Sequence, residues 1–138
     1  MAQPQREDRV STRPDHEDPV LRGRTYSIPF DPVWRAAVEL AGRGLPRWSV
    51  VREDDGPGVI HAEVKPLLWG ENSDVLLRIG LDGNGQTRVD MVASSRGKGR
   101  DWGVSRRRVV SFFTALDRRL SASPEQIVSP SAGSAAHA

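Results

Sequence analysis

The chain has 138 residues and a formal net charge of only +2, from 20 lysines and arginines against 18 aspartates and glutamates. This length suffices for one domain, and so small a net charge excludes a polycation that binds through total charge alone. The absence of cysteine excludes disulfides, thiolate nucleophiles and cysteine-ligated zinc.

Composition predicts a single domain with a segment outside it at each end. Residues 1–22 are rich in charges and prolines, and residues 122–138 are mostly Ser, Ala, Pro and Gly. Such segments bury too little apolar surface to offset their ordering entropy. We therefore predict one α+β domain over residues 23–121 between disordered N-terminal and C-terminal tails. No run approaches the roughly 20 apolar residues of a membrane span, so we expect a soluble, cytoplasmic protein.

The first elements of the predicted domain are a short strand and a helix. Residues 24–28 alternate between apolar and polar side chains, which is typical of a strand. Asp31 is then placed to cap a helix whose first position is Pro32. Apolar side chains recur at helical spacing beyond this point, and Gly44 and Pro46 end the pattern.

Four strand candidates follow, at residues 48–53, 59–64, 74–81 and 87–94. The last two are joined by Asp82-Gly83-Asn84-Gly85, a strong hairpin signal because Gly and Asn adopt positive φ at low cost. The alternation directs one set of apolar side chains to a common face: Ile60, Ala62, Val64, Val75, Leu77, Ile79, Val89, Met91 and Ala93.

The final element, over residues 103–120, has the pattern of an amphipathic helix. Its apolar side chains fall at spacings of three and four: Val109, Phe112, Phe113, Leu116 and Leu120. The predicted order is β-α-β-β-β-β-α. It favours an α+β two-layer sandwich, with a mostly antiparallel sheet covered on one face by two helices.

The stretch from Asp74 to Arg108 resembles the bacterial family known as domain of unknown function 1499. The matching segments are the strand 74–79, the T-x-V-D strand within 85–90, the Ser/Arg/Gly loop 95–103 and the arginine-bearing start of the last helix. The resemblance extends over about residues 24–120 and departs from the family pattern at Arg100 and Ser105. It implies the predicted fold, and the family has no established activity.

A second resemblance concerns the opening of the domain. Tyr26-Ser27-Ile28-Pro29, followed by Val33-Trp34, is similar to the start of START-like helix-grip domains. Those domains bind hydrophobic ligands between a curved antiparallel sheet and a long C-terminal helix. The resemblance implies a hydrophobic small-molecule carrier.

The loop before the last helix is the strongest functional candidate. Residues 96–108 include six basic residues and one acid, Asp101. The candidate residues for binding an anion or partner are Arg96, Lys98, Arg100, Trp102, Arg106 and Arg107. Backbone N–H groups at a helix start attract anions, and arginine matches phosphate and carboxylate geometry. Asp101 and Gly103 are predicted to shape and cap the helix start, and the alternative is a solvated loop.

Two further groups of residues are candidates for a site. Leu67, Leu68 and Trp69 form an apolar connection where polar residues are expected. They are candidates for a lid or lip over a groove or for a docking patch, and the alternative is that Leu67 and Trp69 belong to the core. His61 and Glu63 lie on one strand face and are candidates for an acid/base pair. They are too few for a zinc site, and solvated surface residues are the alternative.

These patterns favour a small binding module that contacts an anionic or amphipathic ligand, or a protein partner, through the Arg/Gly-rich loop. The alternatives are the hydrophobic carrier and, less favoured, an enzyme that uses His61 and Glu63. We expect no catalytic residues, metal or cofactor. Nucleic acid is disfavoured because the four tryptophans form no stacking stripe. The sequence sets no oligomeric state.

Overall fold

A computed structural model of the chain describes residues 9–68, 70–95 and 103–128. Within these residues the chain forms seven strands and two α-helices. In chain order they are β1 (Arg9–Ser11), β2 (Arg24–Tyr26), α1 (Phe30–Glu39), β3 (Trp48–Asp54), β4 (Val59–Val64), β5 (Ser73–Leu81), β6 (Thr87–Ser95), α2 (Val104–Arg119) and β7 (Ile127–Val128). In this part of the chain no helix has the length and apolarity needed to span a bilayer.

The sheet is antiparallel and is ordered β3-β4-β5-β6-β2-β7, with β1 also paired to β6. Its central pairing aligns Ile60 with Leu77 and Leu77 with Met91. Paired residues of neighbouring strands point to the same face, so this register gathers the alternating apolar residues on one side. The predicted strands and the Asp82–Gly85 turn are confirmed.

Both helices cover that apolar face and complete the core. Val109, Phe112 and Leu116 of α2 have no exposed surface. The ring of Phe112 stacks on Trp48 with centroids 5.7 Å apart, which joins α2 to the first residue of β3. The predicted two-layer α+β sandwich is confirmed.

The N-terminal segment differs from the prediction of a disordered tail through residue 22. From Arg9 onward it is part of the domain: Val10 pairs with Ala93 of β6, and Leu21 is a core residue only 5% exposed. A three-residue strand is too short to show a period, and its pairing uses backbone groups that any sequence supplies. Composition therefore did not reveal it.

The C-terminal segment differs in the same way up to Val128. A 3-10 turn over Pro124–Gln126 leads into β7, where Ile127 pairs with Tyr26 of β2. The backbone N–H of Ser123 donates to Oε1 of Gln126, part of a capping box at this turn. The predicted tail therefore holds an ordered edge strand, and residues 129–138 lie outside the described part.

The start of α1 also differs in detail. Pro29 is the N-cap residue and makes no side-chain cap bond, whereas Asp31 lies in the first turn. An acid there is still favourable, because it lies near the positive end of the helix dipole. After Glu39 the helix continues as a π-helical turn over Leu40–Gly44 before the chain enters β3.

Asp117 fixes the C-terminal half of α2 to β2. It accepts a 2.6 Å hydrogen bond from the hydroxyl of Tyr26 and bonds of 3.1–3.2 Å from the guanidinium of Arg24. That guanidinium also lies 5.3 Å from the ring centre of Phe113. Burial, together with the bond to Asp117, raises the pKa of Tyr26 well above its ordinary value, so the phenol remains a donor.

Gly58 closes the turn between β3 and β4 and also extends the sheet. Its φ is +73°, and its N–H donates to the carbonyl of Asp54 over 3.0 Å. Its own carbonyl accepts a 2.8 Å bond from the N–H of Ile79. A Cβ at this position would overlap the carbonyl oxygen of Ile79, so only glycine allows this approach.

We expect Gly58→Ala to lower the free energy of unfolding by about 2–4 kcal/mol, because it combines positive-φ strain with a backbone clash. Gly83→Ala is the matched control, since its φ is not in the left-handed region and no atom lies within 4 Å of the added methyl. It should change stability by less than about 0.5 kcal/mol. Urea unfolding of both variants measures the difference, and equal midpoints would contradict the described turn.

Candidate functional site

The Arg/Gly-rich loop connects the end of β6 to the start of α2. Arg96, Lys98, Arg100 and Trp102, together with the predicted cap Asp101, lie outside the described residues. Their roles therefore stay predictions. The structure does describe both ends of the loop and the first turn of the helix that follows.

The first turn of α2 has a partner from the N-terminal segment. Gly103 is the N-cap residue, with φ +92° and no side-chain cap bond. Nε of Arg106 lies 2.7 Å from Oδ2 of Asp18, and its Nη2 lies 3.3 Å from Oδ1. Asp18 also accepts a hydrogen bond from the N–H of Val20. The anion that forms an ion pair with Arg106 is thus a carboxylate of the same chain.

This pair accounts for the unfavourable placement of an arginine at a helix start. The hydrogen bond from Arg106 is the main cause that lowers the pKa of Asp18, and Asp18 in turn raises the pKa of Arg106. Arg106 was predicted to bind an external anion, and in this structure its guanidinium is engaged by Asp18. Arg107 lies beside it, with Nη1 close to Gly103.

The two loops predicted to form a site leave the sheet at the same end. A row of paired residues marks that end: Trp48, Val64, Ser73 and Ser95. The β4–β5 loop, residues 65–72, connects Val64 to Ser73 of this row. The Arg/Gly-rich loop begins directly after Ser95, the last residue of the row. We call this the loop end of the sheet.

The apolar connection at the loop end is exposed. Leu67 and Leu68 expose 74% and 83% of their surface, which excludes the alternative that Leu67 belongs to the core. Two exposed cations lie at the base of this loop: the N–H of Lys65 donates to the carbonyl of Arg47, and Nε of Arg47 donates to the carbonyl of Lys65. Trp69, the third residue of the predicted lip, lies outside the described residues.

His61 has a different acidic neighbour from the one predicted. Its Nε2 lies 3.6 Å from Oδ1 of Asp74 on the adjacent strand, and Glu63 pairs with Asp74 across the same strands. The sequence could not identify this neighbour, because the contact depends on the register between β4 and β5. Among the described residues no group of three or more His, Asp or Glu is suited to hold a metal ion.

The space between the sheet and α2, where a helix-grip carrier holds its ligand, is filled by side chains. Tyr26, Leu77, Val109, Phe112 and Leu116 retain no exposed surface. A side chain that lined a void of water size or larger would retain some. A ligand between these residues would have to displace them, so the described packing does not favour a carrier with its site in this position.

The polar residues of the T-x-V-D strand stabilise the fold. Oγ1 of Thr87 donates to the carbonyl of Ile28, and Asp90 accepts bonds from Oγ1 of Thr12 and from two nitrogens of Arg88. These bonds hold the first two strands along β6. The segments of the motif that the structure describes are thus part of the scaffold.

The Arg106–Asp18 pair yields a pH-dependent prediction. Arg106→Gln removes the charge that lowers the pKa of Asp18, so that pKa should rise towards its ordinary value of 3.8. Because the folded pKa lies below the unfolded one, the pair stabilises the fold above about pH 4 and ceases to do so as pH falls through the folded value.

Carboxyl NMR titration of Asp18 measures this shift directly. Arg118→Gln is the matched control, since Arg118 is an exposed arginine of the same helix with no side-chain ion pair to the described residues. It should leave the titration of Asp18 unchanged. The same Asp18 pKa in wild type and in Arg106→Gln would mean that the pair does not form in solution.

Comparison with solved structures supports the fold. CalU16 from Micromonospora echinospora is 18% identical, with a TM-score of 0.50 over 88% of each chain. Ara h 8.0201 is 12% identical, with a TM-score of 0.40 over 84% of this chain and 97% of its own. NE0264 from Nitrosomonas europaea is 13% identical, with a TM-score of 0.36 over 87% and 97%. The likeness to CalU16 shows a shared fold alone, and the two lower scores support no conclusion.

Comparison of the sequence with protein families identifies one relationship. The family described as "Protein of unknown function (DUF1499)" matches residues 1–116, and no protein of curated function matches the chain. The match begins before the predicted domain start at residue 23, in agreement with the place of β1 in the sheet. The chain therefore belongs to the DUF1499 family of proteins of unknown function.

Proposed function

We propose that the protein is a non-catalytic binding module that docks onto an anionic, amphipathic partner through the loop end of the sheet. The observation that supports this most strongly is the pair of exposed leucines, Leu67 and Leu68, next to the exposed cations Arg47 and Lys65. A partner that matches both features offers negative charge and apolar groups within one surface. A layer of anionic lipids is the clearest example.

The energetics favour a partner at this position. Two adjacent leucines that expose most of their surface are costly in water, and burying each one contributes about 1.5–3 kcal/mol. Loop residues that are exposed to solvent are normally polar. Arg47 and Lys65 add electrostatic attraction to an anionic surface, and this attraction weakens as salt increases.

The Arg/Gly-rich loop would extend this surface. Ser95, its last described neighbour, pairs with Ser73, where the β4–β5 loop ends. The loop therefore starts one strand away from the segment that bears the exposed leucines. We propose that Arg96, Lys98 and Arg100 add positive charge there, and that Trp102 and Trp69 add amphipathic rings suited to an interface.

Sedimentation with lipid vesicles tests the proposal. We expect the protein to bind vesicles of phosphatidylcholine mixed with phosphatidylglycerol, and to bind pure phosphatidylcholine more weakly. The double substitution Leu67→Ser and Leu68→Ser should weaken binding to the mixed vesicles by at least about tenfold, because the apolar contribution is lost. Arg47→Gln with Lys65→Gln should reduce the preference for anionic lipid.

Leu81→Ser is the matched control. Leu81 is also exposed, at 63%, and it lies at the opposite end of β5 from the loop end. Its substitution should leave vesicle binding unchanged. Equal binding by wild type and the Leu67/Leu68 double variant, or no binding of wild type to either vesicle, would contradict the proposal.

A further inference from the structure

The face of the sheet opposite the helices contains a depression of about 490 Å3. Its apolar floor comes from three strands, with Val59 from β4, Leu76 from β5 and Val92 from β6. Arg9 of β1 and Arg52 of β3 line it from the two flanking strands. The volume lies within the range of about 300–1,000 Å3 that is typical of small-molecule sites.

The strand register explains how these residues share one face. Arg52 pairs with His61, His61 with Leu76, and Leu76 with Val92, so all four side chains point away from the helices. Arg9 pairs with Ser94, two residues further along β6 on the same face. Since strands lie about 4.8 Å apart, the two arginine backbones are separated by four intervals, or about 19 Å.

The two arginines that line the depression have unused hydrogen-bond donors. Among the described residues, neither guanidinium, of Arg9 or of Arg52, has an ion pair or hydrogen bond. The two acids that line the depression already have contacts within the chain. Asp54 accepts from the N–H of Gly56 over 3.1 Å, and Asp74 lies 3.6 Å from Nε2 of His61.

We infer that this depression is a binding site for a small organic anion with an extended apolar body. Its carboxylate or sulfonate group accepts hydrogen bonds from the guanidinium of Arg52 or Arg9. A guanidinium can donate two parallel N–H bonds to two oxygens of such a group. Its apolar body lies on Val59, Leu76 and Val92, and is removed from water there. The site is separate from the loop end and does not depend on the function proposed for it.

A fluorescence titration with anilinonaphthalene sulfonate, an amphipathic anion, tests this inference. We expect saturable binding to the folded protein that weakens as salt increases. Arg52→Gln should weaken it about five- to tenfold, and Arg9→Gln by a similar or smaller factor, because each removes one charged donor. Leu76→Asn should also weaken it by making the floor polar.

Arg118→Gln is the matched control. Arg118 is an exposed arginine of α2, which covers the other face of the sheet, and its substitution should leave the affinity unchanged. The Leu67→Ser, Leu68→Ser double variant should also keep wild-type affinity, which separates this site from the loop end. Circular dichroism of every variant confirms that it is folded.

Amide NMR shifts locate the bound probe. If the probe binds in the depression, the amide signals that shift should be those of Val59, His61, Leu76 and Val92. The dissociation constant fitted to these shifts should equal the one measured by fluorescence. The inference is overturned if the probe does not bind, if Arg52→Gln and Arg9→Gln bind it as wild type does, or if the saturating shifts lie at Leu67 and Leu68.

Discussion

The arrangement of the molecule depends on one constraint. The two helices close a single face of the sheet with buried side chains, and most of these retain no exposed surface. Phe112 of α2 fits against Trp48 and Phe113, and the inward residues of β4, β5 and β6 fill the remaining space. A ligand among these buried side chains would have to displace them. Binding surfaces must then be sought outside the core, at the loop end and on the open sheet face.

Polar networks help to hold the short strands β1 and β2 in the sheet. Asp90 ties β1 to β6 through Thr12, and Asp117 ties β2 to α2 through Tyr26 and Arg24. Each carboxylate accepts several hydrogen bonds in a partly buried place, where an unpaired charge would be costly. Asp90 thus holds in place β1, whose Arg9 lines the open-face depression.

The sequence predicts those parts of the fold that periodicity describes. Leu77 and Met91 alternate into the core as expected, and the apolar stripe of α2 packs where its spacing indicates. The short strands β1 and β7 were missed, because three or two paired residues show no period. The same limit applies to contacts between distant segments, such as that of Asp18 with Arg106, which no local pattern encodes.

The candidate site shows the same division. The basic loop and the apolar Leu67–Leu68 connection are visible in sequence because both depart from ordinary loop composition. The open-face depression is not visible in sequence, because only the register of five strands places Arg52, Leu76 and Arg9 on one sheet face. Arg9 in particular lies in the segment that composition assigned to a tail. Register is a tertiary property, and a single sequence leaves it undefined.

The claim that the interior is full and that binding occurs on the outside can be tested with xenon, an apolar probe that enters empty cavities. Methyl NMR spectra of Leu77, Val109 and Leu116 would be recorded under increasing xenon pressure. The described packing predicts only small shifts that grow linearly without saturation. Saturable shifts at these methyl groups would show an internal cavity and would return the carrier hypothesis to the space between the sheet and α2.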